Sequence, residues 1–485
     1  MALDAGVRAD FERALAPEDV ISDPVRCRAY ECDGLTGYRV VPELVLLPRD
    51  AGQVAAAVRV CHEHGVPFVA RGAGTGLSGG AVPVADGVVI SLARLKRVLQ
   101  VDPVDRRAVL EPGVTNLEIT KAAAHHGLYF APDPSSQQVC TIGGNVAENS
   151  GGAHCLKYGF TTNHVLSLEV VLPDGSVVTL GGDSPEQAGP DLRGVFLGSE
   201  GTLGITTKIT VRLLRTPESV RTLLADFPSI SAAGEVVSDI VSAGIVPAAV
   251  EMMDTLAIEA AEQAVHAGYT VGVPAALVVE LDGPEEEAST QFDQVKEICD
   301  RHGCTRLHIA GSPEERAAIW RGRKAAFAAV GRISPDYLCM DGTIPRKTLP
   351  LVLNRMSKLS VKHNLRVANV FHAGDGNLHP LILYDANNPG ELERAEAFGA
   401  DILRLCVEVG GVLTGEHGVG VEKRDLMPAM FSEDDLAQQQ RVKCAFDPNH
   451  RLNPGKVFPV LHRCAELGRM HVHKGQVAFP DLPRF

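Results

Sequence analysis

Aromatic residues are scarce in this chain, at 5% of 485 residues with a single tryptophan. No apolar run approaches the ~18 residues that a membrane-spanning helix needs; the longest uncharged stretches, such as 269–279, stop well short. Basic residues are in deficit, because 46 Lys and Arg stand against 60 Asp and Glu for a net charge of −14. That balance disfavours nucleic acid, whose phosphates are bound mainly by cationic side chains. No Cys-x-x-Cys pair occurs among the 11 cysteines, which are scattered from Cys27 to Cys464. The usual iron–sulphur cluster runs are therefore absent, and the odd count reads as the reduced thiols of a cytoplasmic protein. Asp4, Arg8, Asp10, Glu12 and Arg13 break up the start of the chain, so no apolar export segment is expected there.

Hydrophobic residues make up 45% and charged residues 22% of the chain, as in ordinary soluble globular proteins. At roughly 150 residues per domain, the length suggests about three structural units, or two with one elaborated. Glycine is plentiful at 48 residues, and in a chain poor in aromatics this points to backbone packed closely around a cofactor.

From residue 44 the pattern alternates. Residues 44–47 read as a strand, Asp50 followed by Gln53 caps an Ala-rich helix to His64, and 66–70 read as a second strand. The loop Arg71-Gly72-Ala73-Gly74-Thr75-Gly76-Leu77-Ser78-Gly79-Gly80 follows. Gly74, Gly76 and Gly79 satisfy the dinucleotide pattern G-x-G-x-x-G, yet the loop runs into Pro83, Gly87 and a strand over 88–92, not into a helix. It is expected to bind phosphate through its own backbone N–H groups, as an anion nest. A second cluster of small residues spans 133–152, and a third spans 198–205. Between them, 166–172 and 176–180 read as a hairpin around Pro173-Asp174-Gly175. Three such clusters flanked by strands imply one extended ligand. After Thr216-Pro217, amphipathic segments over 229–243, 253–267, 285–302 and 314–330 interleave with strand-like 275–281 and 366–370. The expected class is α+β, with a boundary near residue 216 and a Pro/Gly-rich return towards the first domain from Phe446.

His372 and His379 flank Gly374-Asp375-Gly376. On a straight strand two residues seven apart lie roughly 23 Å from each other, but this turn chemistry permits a reversal that brings the imidazoles together. Glu416 and His417 sit in another glycine-bounded turn, and a His, His, Glu set with an open position suits a catalytic divalent ion. Histidines beside turns also occur as ordinary hydrogen-bonded core residues, and the spacing leaves both readings open. Arg321, Arg323 and Lys324 follow Trp320 in a helical stretch, as a solvated basic face or as a guanidinium that grips a carboxylate.

Taken together, these residues resemble the FAD-linked oxidase family with the two-domain vanillyl-alcohol-oxidase (PCMH-type) fold, in its D-2-hydroxyacid dehydrogenase branch. The finer resemblance is to the catalytic FAD subunits of bacterial glycolate oxidases. It rests on 30–35, 71–80, 131–152, 334–346, 372–380 and the tail Leu461-His462-Arg463-Cys464-Ala465-Glu466. The resemblance implies an N-terminal segment over 1–37, an FAD-binding domain over 38–216, an α+β substrate and metal-binding cap over 217–445, and a segment over 446–485 that returns to the FAD domain.

It further implies that Arg71, Gly72, Ala73, Gly74, Thr75, Gly76 and Leu77 wrap the FAD pyrophosphate. Pro132, Asp133, Gly143, Gly144, Asn145, Asn149 and Gly152 would line the ribityl and flavin side, Gly204 and Ile205 would lie near the adenine, and Asn453 would assist from the returning segment. Thr75 stands where flavin-tethering relatives have histidine, so the FAD is expected to be non-covalent. His372, His379 and Glu416 are the implied ligands of a divalent Zn, Mn or Fe ion, His417 the base, and Arg323 the carboxylate anchor. Cys339 replaces a lysine of dicarboxylate-acting relatives two residues before Asp341, which favours a small monocarboxylate. The implied reaction is oxidation of glycolate to glyoxylate, or of D-lactate to pyruvate, with hydride passing from the α-carbon to flavin N5. Electrons would leave through a second FAD-type subunit and an iron–sulphur subunit, in the cytoplasm, with any attachment to the inner membrane made through those partners. The alternatives are a stand-alone D-lactate dehydrogenase, a non-catalytic FAD scaffold, and a flavin-free metal hydrolase.

Overall fold

The computed structural model describes residues 3–184 and 189–459. The tail 461–466 used in the resemblance lies outside them.

Two sheets carry the first part of the chain. In a four-stranded sheet, Leu44–Leu46, Val88–Ser91 and Phe68–Arg71 run parallel, with Val20–Ile21 antiparallel at one edge. The crossover between the first and last of these is the helix Ala51–His64. Asp50 caps it by accepting from the Gln53 N–H, and Gly65 ends it at φ +66°. Phe68–Arg71 then feeds directly into the glycine loop, and no helix follows before Val88–Ser91, as the sequence pattern requires. A five-stranded antiparallel sheet, in the order Val98–Asp102, Arg107–Leu110, Ile205–Arg212, Val165–Val171, Val177–Gly181, includes the hairpin turned by Pro173-Asp174-Gly175.

The second part is built on a seven-stranded antiparallel sheet. Side chains alternate across it. In strand Ser219–Phe227, Leu223, Ala225 and Phe227 face a layer of helices that includes Ile230–Ser242, Glu285–Arg301 and Leu349–His363. Leu224 faces the other way, towards Thr255–Val265 and Pro313–Ala329. Fully burying each Leu or Phe contributes about 1.5–3 kcal/mol, so the two-sided core makes this sheet a stiff platform. Helix Pro313–Ala329 is capped by Ser312 and lies close on Tyr269. A Cβ on Gly322 would overlap the Tyr269 ring, whose hydroxyl donates to the Ile319 carbonyl at 2.8 Å. That approach sets the depth of Arg323 and Lys324.

The chain comes back to the first part at its described end. Leu452 bridges Phe68, and the Asn453 amide donates to the carbonyls of Gly80 at 3.0 Å and Glu200 at 2.8 Å.

Candidate active site

A cavity of ≈ 390 Å³ lies between the two parts of the chain. One wall is the loop Gly72–Leu77 with Arg71; another comes from Gly143, Gly144, Asn145, Gly204 and Ile205; the far end carries Lys324, Phe327, Glu416 and His417. The loop accepts hydrogen bonds through its carbonyls, from Gly34 to Gly76 and from Val421 and Glu422 to Ser78. None of its backbone N–H groups from Ala73 to Gly80 donates to another of the described residues. The Arg71 guanidinium lies tucked beneath Gly74, which adopts φ +70° and leaves no room for a side chain there. Free N–H groups over a buried cation are what a pyrophosphate would satisfy, so the residues fit FAD. Gly72 and Gly143 are required for close approach, since a Cβ would come within 2.5 Å of Thr141 Oγ1 and 2.6 Å of Pro112 Cβ respectively. The glycines 143 and 144 open a short helix, Ile142–Glu148, that the sequence pattern did not announce.

The two histidines meet because Val367–His372 and Asn377–Tyr384 form an antiparallel hairpin. His372 pairs with Asn377 and Val370 with His379, which makes the two imidazoles diagonal neighbours on one face, with ring centroids 5.0 Å apart. Gly376 turns the hairpin at φ +82°, where a Cβ would overlap the Ile344 carbonyl. His372 Nε2 and His379 Nε2 lie 3.2 and 3.0 Å from the same Glu416 oxygen, and a ligand atom from each of the three residues falls within 4.8 Å of the others. The fully buried Asp341 holds the Glu416 loop. Its carboxylate accepts from the N–H groups of Gly415, Glu416 and His417 and from the Thr414 hydroxyl.

Glu251 completes the cluster from strand Ala249–Asp254. Its Oε1 lies 2.8 Å from His372 Nδ1, and its Oε2 lies 2.5 Å from Arg323 Nη2, off the angle of a hydrogen bond. Burial works against ionisation of His372 and Glu416, yet their mutual attraction prevails. The imidazole is raised well above its ordinary pKa by Glu251 first and Glu416 second, and the carboxyl is held well below the carboxylate range by His372 with His379 helping. Two carboxylates that bind a proton this strongly suit a divalent cation for the same reason, and the Glu251 contact fixes the His372 ring as metal-binding histidines are commonly fixed. The donor set therefore fits a divalent metal. Burial pushes His417 down to about 4, so its imidazole is neutral at pH 7.

Two family models match this chain: "FAD binding domain" over residues 42–181 and "FAD linked oxidases, C-terminal domain" over residues 216–457. Among curated proteins, it is 56% identical over 456 residues to "Glycolate oxidase subunit GlcD" of Escherichia coli (strain K12), covering 94% of this chain and 91% of that one. The chain belongs to the FAD-linked oxidase family. Another member, "Glycolate oxidase subunit GlcD" of Bacillus subtilis (strain 168), is 36% identical over 93% of this chain and 96% of that one. "Probable D-lactate dehydrogenase, mitochondrial" of Danio rerio is 32% identical over 88% and 86%. Solved structures of the same fold include 4-ethylphenol oxidase from Gulosibacter chungangensis, with a TM-score of 0.79 at 19% identity over 95% of this chain and 98% of that one. A substrate-bound p-cresol methylhydroxylase also reaches 0.79 at 19% identity, over 94% and 98%. The fold is thus the α+β, vanillyl-alcohol-oxidase type that the family resemblance implied.

The structure sorts the candidate residues by position. Arg71 to Leu77, Gly143, Gly144, Asn145, Gly204, Ile205, Glu416 and His417 line the cavity. Pro132, Asp133, Asn149, Gly152 and Asn453 stand behind its wall. The Pro132 carbonyl accepts from Asn116, Asp133 from His154, and Asn149 from the Thr162 N–H, while Gly152 passes against the Asp133 backbone at φ +142°. Arg323 is 3% exposed and packs against Phe327; in its helix Lys324 and Phe327 reach the cavity wall. Glu251, Asp341 and Glu200 were not singled out as functional. Glu200 accepts from the Val419 and Gly420 N–H groups, both at 2.6 Å, which ties the Glu416 loop to the cofactor side. The available signal was an acid amid apolar residues of a strand for Glu251, and for Glu200 an acid between glycines.

Proposed function

We propose that this chain oxidises a small 2-hydroxy monocarboxylate, glycolate or D-lactate, to its 2-oxo acid. The observation that carries the reading is that one cavity runs from the pyrophosphate-type loop to Glu416 and His417, beside the converging His372 and His379. The names of the curated relatives support the substrate class. FAD, held without a covalent link, would supply a two-electron acceptor, and a divalent ion on His372, His379 and Glu416 would supply Lewis acidity towards the substrate hydroxyl.

The chain's own residues do the rest. Neutral His417, whose Nδ1 has no hydrogen-bond partner among the described residues, takes the hydroxyl proton. Arg323 anchors the carboxylate: its Nε is a buried donor without a hydrogen-bond acceptor among the described residues, its Nη2 meets Glu251 off the hydrogen-bond angle, and holding the acid fixes which α-hydrogen faces the flavin. Cys339, where dicarboxylate-acting relatives carry lysine, supplies no cation of its own for a second carboxylate.

In this reading residues 38–216 hold the cofactor and 217–445 the substrate and metal. The chain works with a second FAD-type subunit and an iron–sulphur subunit in the cytoplasm. Among the described residues no helix is long and apolar enough to cross a membrane, so any membrane attachment is assigned to the partners. The test is anaerobic addition of glycolate, D-lactate, L-lactate and 2-hydroxyglutarate to the yellow protein. Bleaching by glycolate or D-lactate is expected; bleaching by 2-hydroxyglutarate alone, or by none, sinks the proposal.

A further inference from the structure

Cys339, His379 and His417 bring one sulphur and two imidazole nitrogens within 4.8 Å of one another. The register explains the meeting. Cys339 ends strand Asp336–Cys339 and pairs with Leu381, so His379, two residues earlier on the same strand, is its diagonal neighbour on one face. The His417 ring stacks on that of His379 with centroids 4.8 Å apart and planes at 14°. Cys339 is 5% and His379 1% exposed. The Nδ1 atoms of both histidines are buried without hydrogen-bond partners among the described residues, and the thiol reaches only the Met340 carbonyl, at 3.5 Å. His379 Nδ1 lies 3.9 Å from Asp341 Oδ1, beyond hydrogen-bond reach; imidazole nitrogens and a buried sulphur this close together are a donor set in want of an ion.

We propose that Cys339, His379 and His417 form a second, thiolate-containing metal site, selective for soft or borderline divalent ions such as Zn²⁺ and Cd²⁺, whose occupancy inhibits the enzyme. The site shares His379 with the His372, His379 and Glu416 set but differs in ligand softness. A sulphur ligand favours zinc and cadmium, whereas a set of imidazole and carboxylate also accommodates harder ions such as Mn²⁺. Binding is a proton-for-metal exchange. The Cys339 S–H bond breaks, its proton passes to solvent, a sulphur–metal bond forms, and no electrons are transferred; where the first set already holds an ion through His379 Nε2, the His379 Nδ1–H proton leaves to solvent as well. Inhibition follows because an ion on His417 occupies the lone pair that would accept the substrate proton. That consequence rests on the role of His417 proposed above; the site itself does not.

The experiment uses the FAD-loaded protein, stripped of metal and reloaded with Zn²⁺ or Mn²⁺, and reads X-ray absorption fine structure at each metal edge. Zinc is expected to show one sulphur neighbour at about 2.3 Å, and manganese only nitrogen and oxygen. In Cys339→Ser the zinc spectrum should lose its sulphur shell, and the Zn²⁺ concentration that halves hydroxy-acid oxidation should rise at least about tenfold. A wild-type zinc spectrum with no sulphur shell overturns the proposal whether or not the variant folds. So does a sulphur shell that persists in Cys339→Ser, since it then comes from another cysteine. A sulphur shell lost in Cys339→Ser, in a protein that no hydroxy acid bleaches, would keep the site and sink the substrate reading instead.

Discussion

Replacing Glu251 with alanine strikes two groups at once. The carboxylate is 1% exposed and touches His372 Nδ1 at 2.8 Å with one oxygen and Arg323 Nη2 at 2.5 Å with the other. Glu251→Ala leaves the Arg323 guanidinium, itself 3% exposed, without its counter-charge. Stranding one member of a buried ion pair costs about 3–5 kcal/mol. His372 loses the acceptor that orients its ring, a change expected to weaken the metal about 10- to 100-fold. Glu251→Gln preserves shape and one oxygen acceptor, so it should weaken metal binding less than Glu251→Ala while still stranding the charge. The decisive variant is the double one. Glu251→Ala with Arg323→Ala removes both charges, and its loss of stability should fall short of the sum of the singles by about 1–3 kcal/mol. Urea midpoints followed by circular dichroism give the stabilities, and competition with a chelating dye gives the metal affinities. Additivity within about 0.5 kcal/mol would show that Glu251 and Arg323 are not coupled, and unchanged metal affinity in Glu251→Ala would show that Glu251 does not orient His372.

Four further expectations are open to direct measurement. Acid precipitation should release the flavin into the supernatant, because Thr75 offers no tethering nitrogen; yellow colour retained on the washed pellet is the contrary result. His372→Ala or Glu416→Gln should abolish turnover while leaving the flavin spectrum, since neither residue belongs to the pyrophosphate cradle, and turnover near the wild-type rate would count against a ligand role. Arg323→Ala should lower kcat/KM for glycolate by about 2–4 kcal/mol, or about 30- to 1000-fold, and Arg323→Lys should be impaired too, because a point charge cannot reproduce the planar fork; exposed Arg321→Ala serves as the control, and the reverse ranking discards the anchor. The last concerns His154, where Asp133 and Glu280, working against burial, push the imidazole up to about 10. Its ordinary value is about 6.5, so the folded state binds the proton more tightly, and the stabilisation is full below that value and lost as pH rises through 10. Lys456, held down at about 8 by burial, acts in the opposite sense at higher pH but is common to both proteins compared. Wild type should therefore lose more stability between pH 6.5 and pH 10 than His154→Gln; parallel midpoint curves would show the interaction to be idle.

What could be read from the residues was whatever has a local rule. Asp50 and Gly65 bound their helix, Pro173-Asp174-Gly175 turns its hairpin, and the absence of a helix after Gly80 separates this loop from a dinucleotide-binding turn. The meeting of His372 with His379 was legible for the same reason, because Gly374 and Gly376 make a reversal possible. Contacts that cross the sequence were not. Glu251 reaches His372 and Arg323 only through strand register, and an acid in an apolar strand announces a buried partner without naming it. Asp341 holds the Glu416 loop across 75 positions, and Glu200 reaches that loop across 219. The basic cluster at 320–324 illustrates the limit: its spacing alone favoured a solvated face over a buried fork, and helix depth, set by Gly322 on Tyr269, decided that Arg323 turns inward while Arg321 stays exposed.

In the proposed function one cavity joins a flavin to a metal-activated hydroxy acid. The most direct measurement is the anaerobic, single-turnover rate of flavin bleaching by glycolate or D-lactate, compared in wild type as purified, after chelation, and after return of the divalent ion. Bleaching should be lost on chelation without loss of bound FAD and recovered on metal return, with His379→Ala giving no recovery. Bleaching at an unchanged rate in the metal-free protein would show that the metal takes no part in the oxidation.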